Sequence, residues 1–302
     1  MADVQTTERG FTAEQEGGLS LPVRLKPNTL WNVLTYGVLI FGAIISIGPF
    51  FWMIMASFMT LGEASGSTLI PSTWHPENYV EAWGNAQFSQ YLLNSVIITL
   101  ITLSGELVVS VLAAYAFARI QFPGRNLIFG LLLASLMIPA MVTMIPNLLT
   151  VTWLGRVGPI PWVDNWPALT IPFMGSVFSI FLLRQFFAQI PEELFDSAKI
   201  DGAGHLRMII QIVLPLSIAP LMVIIVLSFI GTWNALAWPL LVTNTDEWLP
   251  ISVGLLNFVQ DEGSKNHLIM AGSVITIIPI LIIFFLTQRQ FTESIARSGI
   301  KG

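Results

Sequence analysis

Six apolar stretches decide what this chain can become. They run over residues 33–58, 90–117, 127–151, 166–189, 212–234 and 267–288. Each comes near or exceeds the ~20 apolar residues that a helix needs to cross a bilayer. Backbone polar groups cannot stay unpaired in hydrocarbon, so lipid-facing stretches must be helices or strands of a closed barrel. The polar/apolar alternation of barrel strands is missing. The chain therefore reads as an all-α polytopic membrane protein with six transmembrane helices. Its charge content agrees: 10% of the 302 residues are charged, against about 25% in a soluble domain.

Basic residues orient the spans, because short cytoplasmic loops collect Lys and Arg. Eleven of the 13 basic residues fall on one side: Arg119 and Arg125 after the second span, Arg184, Lys199 and Arg207 after the fourth, the others in the two tails. Only Arg156 and Lys265 fall on the other side. Both termini are expected in the cytoplasm. Residues 1–30 read as a polar cytoplasmic tail, and the acidic Asp3, Glu8, Glu14 and Glu16 do not suit a cleaved leader. Residues 31–89 hold the first span and an extracytoplasmic loop, 90–289 the remaining spans, and 290–302 a second cytoplasmic tail.

One long polar segment interrupts the second half. Between Glu192 and Arg207, six charged residues fall within sixteen positions. Each would cost ~2.5–3.5 kcal/mol at the bilayer centre, so the segment must lie in water. Pro191 suits the first position of a helix, followed by Glu192 and Glu193 at its positive end. Leu194, Phe195 and Ala198 are expected to share one face. Gly202 and Gly204 then let the chain turn into a second helix that enters the membrane near Pro215.

Catalytic signatures are missing. The chain has no G-x-x-x-x-G-K-[ST] phosphate loop, no H-E-x-x-H and no G-x-S-x-G. Cysteine is absent and the histidines at 75, 205 and 267 are scattered, which leaves no metal-binding pattern. The clear intramembrane acid is Glu106, with Ser104, Gly105 and Ser110 as a small, polar neighbourhood suited to close helix packing. It fits either an interhelical hydrogen bond or a group lining a pathway. Trp233, Asn234 and Trp238 combine aromatic faces with an amide near the outer end of the fifth span. They suit sugar hydroxyls, and equally packing or anchoring at the interface.

The polar segment resembles the cytoplasmic EAA loop of permease subunits of binding-protein-dependent ABC importers. That pattern is Glu-Ala-Ala, three residues, Gly, nine residues, Ile-x-Leu-Pro. Here Asp196, Ser197 and Ala198 are followed by Gly202, then Ile212, Leu214 and Pro215. Asp196 and Ser197 depart from the pattern but keep the acid and the small face. AYAFARIQFPGR at 114–125, GTWNALAWPL at 231–240 and the last span with its tail resemble the carbohydrate-type, maltose-like branch. The family tail ends Gly-Ala-Val-Lys-Gly, where this chain has Ser298-Gly299-Ile300-Lys301-Gly302.

The resemblance implies the type I importer permease fold, with 90–289 as its transmembrane domain and 190–215 as its coupling loop. It implies a bacterial or archaeal cytoplasmic membrane and no enzymatic activity in this chain. Implied partners are a second permease, two ATPase subunits that carry ATP and Mg, and an extracytoplasmic solute-binding protein. Glu193, Asp196, Ser197, Ala198, Gly202 and Pro215 become the expected residues of ATPase contact and loop geometry. Glu106, Trp233, Asn234 and Trp238 become the candidates for the pathway. An importer for another solute class, or a stand-alone transporter, is the alternative. The latter would favour internal repeats and paired intramembrane charges, and neither is evident.

Overall fold

The computed structural model describes residues 29–85, 87–263 and 265–298, with side chains from 31 to 288. Residues 1–28 of the tail expected at 1–30 and the variant motif after Ser298 lie outside the described residues, and Thr29 and Leu30 belong to a helix. The described residues divide at Phe50 into two units. The described part of the first is helical, with every side chain from 31 to 50 exposed. It belongs to helix α1, Thr29–Ser57.

The described residues of the second unit form helices joined by loops and turns, with no strand among them. In chain order follow α2 (Glu77–Asn85), α3 (Phe88–Arg119), α4 (Arg125–Ser135) and α5 (Ala140–Val157). Next come α6 (Trp166–Thr170), α7 (Val177–Gln189), α8 (Glu192–Ile200) and α9 (His205–Met208). The rest are α10 (Ile218–Trp233), α11 (Ala237–Val242), α12 (Ile251–Glu262) and α13 (Asn266–Ser298).

Among the described residues, four helical stretches are long and apolar enough to cross a membrane: Trp31–Ser57, Phe88–Arg119, Trp166–Gln189 and Asn266–Gln288. Two bent pairs bring the number to six if each counts as one span. These pairs fall on the spans expected at 127–151 and 212–234, whose prolines Pro139, Pro146, Pro215 and Pro220 favour kinks. The third stretch breaks between α4 and α5 with a bend of 104°. Its cause is Pro139, which caps α5 in an extended conformation and disfavours helical backbone at Ile138. The fifth bends by 83° at Ser217, between His205–Leu216 and α10. The segment before it contains a π-helical turn, Ile209–Val213, a local unwinding of the kind that marks bends and functional hinges.

Helix α3 is the centre of the unit. It packs most extensively on α7, and α10 packs on both α3 and α13. Between apolar helices in lipid, close van der Waals fit does the holding. Gly105 shows why a small residue is needed. A Cβ there would run into the Met174 side chain. Ser110 is buried as expected for that face, whereas Ser104 is exposed. At one end of α3, Phe88 and Tyr91 join a core with Trp233, Phe258 and Leu268. At the other, Val111, Ala114 and Tyr115 join Leu183, Phe187, Phe195 and Met208.

Candidate functional site

The polar segment is a helix–turn–helix held against the end of α3. Helix α8 begins at Glu192, with Pro191 at the N-cap (φ −56, ψ 137) and not within the first turn as expected. Glu192 and Glu193 sit at its positive end and Lys199 at its negative end, both favourable to the helix dipole. Lys199 bonds Asp196 at 2.8 Å and lies 3.6 Å from Glu192. The hydrogen bond to Asp196, chiefly, holds its ammonium above the ordinary lysine range. The helix stops in a Schellman motif. The Ala203 amide donates to the Ala198 carbonyl at 2.8 Å, and the Gly202 amide to Lys199 at 3.0 Å. Gly202 adopts φ +73 with open space around it. Its role is therefore conformational, since a Cβ there would meet strain and no neighbour.

The buried face of α8 is carried by Phe195, 2% exposed, with Ala198 partly buried beside it. Leu194 is 41% exposed, which corrects its expected place on that face. A step of one residue rotates a helix by about 100°, so Leu194 and Phe195 cannot share it. Glu193, Asp196, Ser197 and Pro215 are exposed, and Ala198 points to the core. Leu194, Ile200, Leu206 and Ile210 leave apolar surface exposed along this otherwise charged segment.

Sequence reasoning used Arg119 only to orient the spans, yet it is the clamp of this site. Arg184, assigned to the loop, is likewise within helix α7 and stacks over Phe129. The Arg119 guanidinium donates to the Phe187 and Ile190 carbonyls and, at 2.7 Å, to Glu192. Its Cζ lies 4.2 Å from the centre of the Phe195 ring. It thus caps the C-terminal carbonyls of α7 and grips the first turns of α8. One turn earlier on α3, the Tyr115 hydroxyl meets His205 Nδ1 at 2.9 Å. Both helices of the polar segment are thereby tied to α3. Arg119 ends the AYAFAR motif, so its place at the end of a span beside the polar loop was the available signal.

A second site lies within the helix bundle. A chamber of about 400 Å³ is lined from α3, α10 and the segment around α6 and α7. Glu106 and Trp238 line it, and Trp233 and Asn234 do not. Glu106 is 4% exposed and accepts a hydrogen bond from Ser179 Oγ at 2.6 Å. Trp238 Nε1 donates to the Ala168 carbonyl at 2.8 Å, and its ring meets Phe173 edge to face at 5.8 Å. Trp233 is 2% exposed, bonds the Thr276 carbonyl and stacks on Phe229. Asn234 is exposed, and its amide bonds Ile230 one turn back.

Comparison with known proteins identifies the family. Residues 106–297 match the family described as binding-protein-dependent transport system inner membrane component. Among curated relatives is the diacetylchitobiose uptake system permease protein NgcG of Streptomyces coelicolor, 30% identical over 89% of this chain and 88% of that protein. The sn-glycerol-3-phosphate transport system permease protein UgpE of Yersinia pestis bv. Antiqua is 32% identical over 88% of this chain and 96% of that one. Among solved structures, a bacterial ABC transporter involved in import of the acidic polysaccharide alginate shares the fold, with TM-score 0.80 at 22% identity. It covers 90% of this chain and 100% of that one. The chain belongs to the binding-protein-dependent transport system inner membrane components, the permease subunits of ABC importers, and is not an enzyme.

Proposed function

We propose that this chain is one of two permeases of an ATP-driven importer for a sugar or sugar-like solute. A binding protein delivers the solute from outside, and two ATPase subunits carry ATP and Mg on the inside. The chain spans the bacterial cytoplasmic membrane six times, each bent pair counting as one span. Residues 90–289 form its transmembrane domain. Both termini and the loop 190–215 face the cytoplasm. Helix α8 docks on an ATPase through Glu193, Asp196, Ser197 and its exposed apolar side chains. Ala198, Gly202 and Pro215 set the shape of the loop.

The single observation that carries this reading is the clamp at Arg119. It binds α8 to the end of α3 while Glu193 and Asp196 stay exposed to solvent. A pull on α8 then reaches two places. Through Arg119 it moves α3, whose Glu106 lies thirteen residues back along the same helix, about 20 Å at 1.5 Å per residue. Through the Gly202 turn and the bend at Ser217 it moves α10. Both helices line the chamber. Coupling requires that ATP and loaded binding protein each favour a different arrangement of these helices.

The test is purification of the tagged chain from its own membranes in mild detergent. A phosphate-loop ATPase and a second permease should co-purify. A chain that purifies alone and moves solute in ATP-free liposomes would refute the reading.

A further inference from the structure

The chamber is chemically one-sided. Glu106, Thr102, Ser176, Ser228 and Thr232 line it, and no lysine, arginine or histidine does so among the described residues. Glu106 and Thr102 are 4% and 1% exposed, so the fold withholds both from bulk water. Glu106 is already bonded to Ser179, whereas Thr102 Oγ1 has no partner among the described residues. A buried hydroxyl without a partner is uncommon and costly, and a ligand is one way to satisfy it. Trp238 and Phe173 add ring surface. The volume of about 400 Å³ falls in the ~300–1,000 Å³ range of small-molecule sites.

We propose that this chamber is a solute half-site for an uncharged or cationic polyhydroxylated solute, and that it rejects phosphorylated and uronate solutes. The proposal rests on the importer reading above and narrows it. An anion leaving water for this wall would find a carboxyl group, hydroxyls and rings, with no cation to replace its hydration. A neutral sugar fits each element. Its hydroxyls donate to Glu106 and exchange hydrogen bonds with Thr102 and Ser228, and its apolar ring face lies on the aromatic side chains. Kinship does not make this choice, since relatives include permeases named for a neutral disaccharide and for a phosphate ester.

The test compares the native strain, a strain lacking this chain, and that strain complemented. Each grows on one mixture of neutral disaccharides, amino sugars, sugar phosphates and uronate oligomers, and mass spectrometry follows depletion of each solute. Depletion that depends on this chain should be confined to neutral or amino sugars. Chain-dependent uptake of a sugar phosphate or uronate would overturn the proposal while leaving the importer reading standing. If no solute depends on the chain, the importer reading falls and the proposal with it. For the solute so identified, Thr102→Val and Ser228→Ala should each lower uptake by the assembled importer roughly three- to tenfold, the value of one lost hydrogen bond. Unchanged uptake in the double variant would also overturn it. Ser228 is only partly buried, so its alanine variant tests the site with little threat to folding.

Discussion

Replacing Arg119 with alanine removes four contacts at once, two to carbonyls at the end of α7 and two to side chains of α8. Its side chain is 11% exposed, so water cannot take over its hydrogen bonds. Hydrogen bonds from a charged donor are worth about 1.5–3 kcal/mol each, and a cation–π contact about 0.5–2 kcal/mol. The ion pair to Glu192 adds little, because that carboxylate is 61% exposed and exposed pairs contribute ~0–1 kcal/mol. These values overlap and do not simply add. A loss of about 2–4 kcal/mol in the docking of α8 is expected, or roughly 30- to 1,000-fold in its docked fraction. Hydrogen exchange on the purified complex should show the amides of Phe195–Ala203 losing that much protection. In proteoliposomes, Arg119→Ala should lose at least tenfold in uptake per ATP hydrolysed. Arg119→Lys keeps the charge without the planar fork and should fall between. Glu192→Ala should change coupling less than about fivefold. The reasoning fails if Arg119→Ala, in an assembled complex, couples like wild type, or if Glu192→Ala is equally damaging.

Gly202→Val places a β-branched residue at φ +73 and should destabilise the turn by about 1–3 kcal/mol. Gly202→Asn should be milder, because Asn tolerates that region, and uptake per ATP should follow the same order. Phe195→Ala removes a fully buried ring and should cost about 3–5 kcal/mol, read as a lower melting temperature of the complex and release of α8. Glu63 accepts hydrogen bonds from Ser72 and Thr60, and these, that of the Ser72 hydroxyl first, lower its pKa to about 2. Its contribution to the order of the 60–72 loop is therefore complete above the ordinary carboxylate range. It fades as pH falls from about 4 toward about 2, so the Ser72 amide should lose protection over that window. In Glu63→Gln this acid dependence should vanish.

The parts of this molecule set by local chemistry were readable in its sequence. Apolar length located the helical stretches, and charge density located α8 with its capping glycine. Resemblance over the EAA-like segment led to the family. What escaped reading depends on contacts across long separations. Pro139 and Pro215 mark where a kink is favoured, but nothing local sets the size of the bends, 104° between α4 and α5 and 83° at Ser217. Leu194 and Phe195 are chemically alike, and the core formed by α3 and α7, with Arg119 over the ring, decides which one is buried. Trp233 and Trp238 lie five positions apart in one motif, yet Trp233 serves the core and Trp238 the chamber. Arg119 was visible as a charge at the end of a span, but its role comes from α7 ending beside it.

The most direct measurement exploits the absence of cysteine in the chain. Single-cysteine variants Glu193→Cys and Asp196→Cys, on the exposed side of α8, can be tested in intact cells and in the purified importer. Both should resist a membrane-impermeant maleimide applied outside, and both should cross-link to the ATPase subunit once membranes are opened. Labelling from outside, or no cross-link from either position in an active importer, would contradict a cytoplasmic α8 seated on the ATPase.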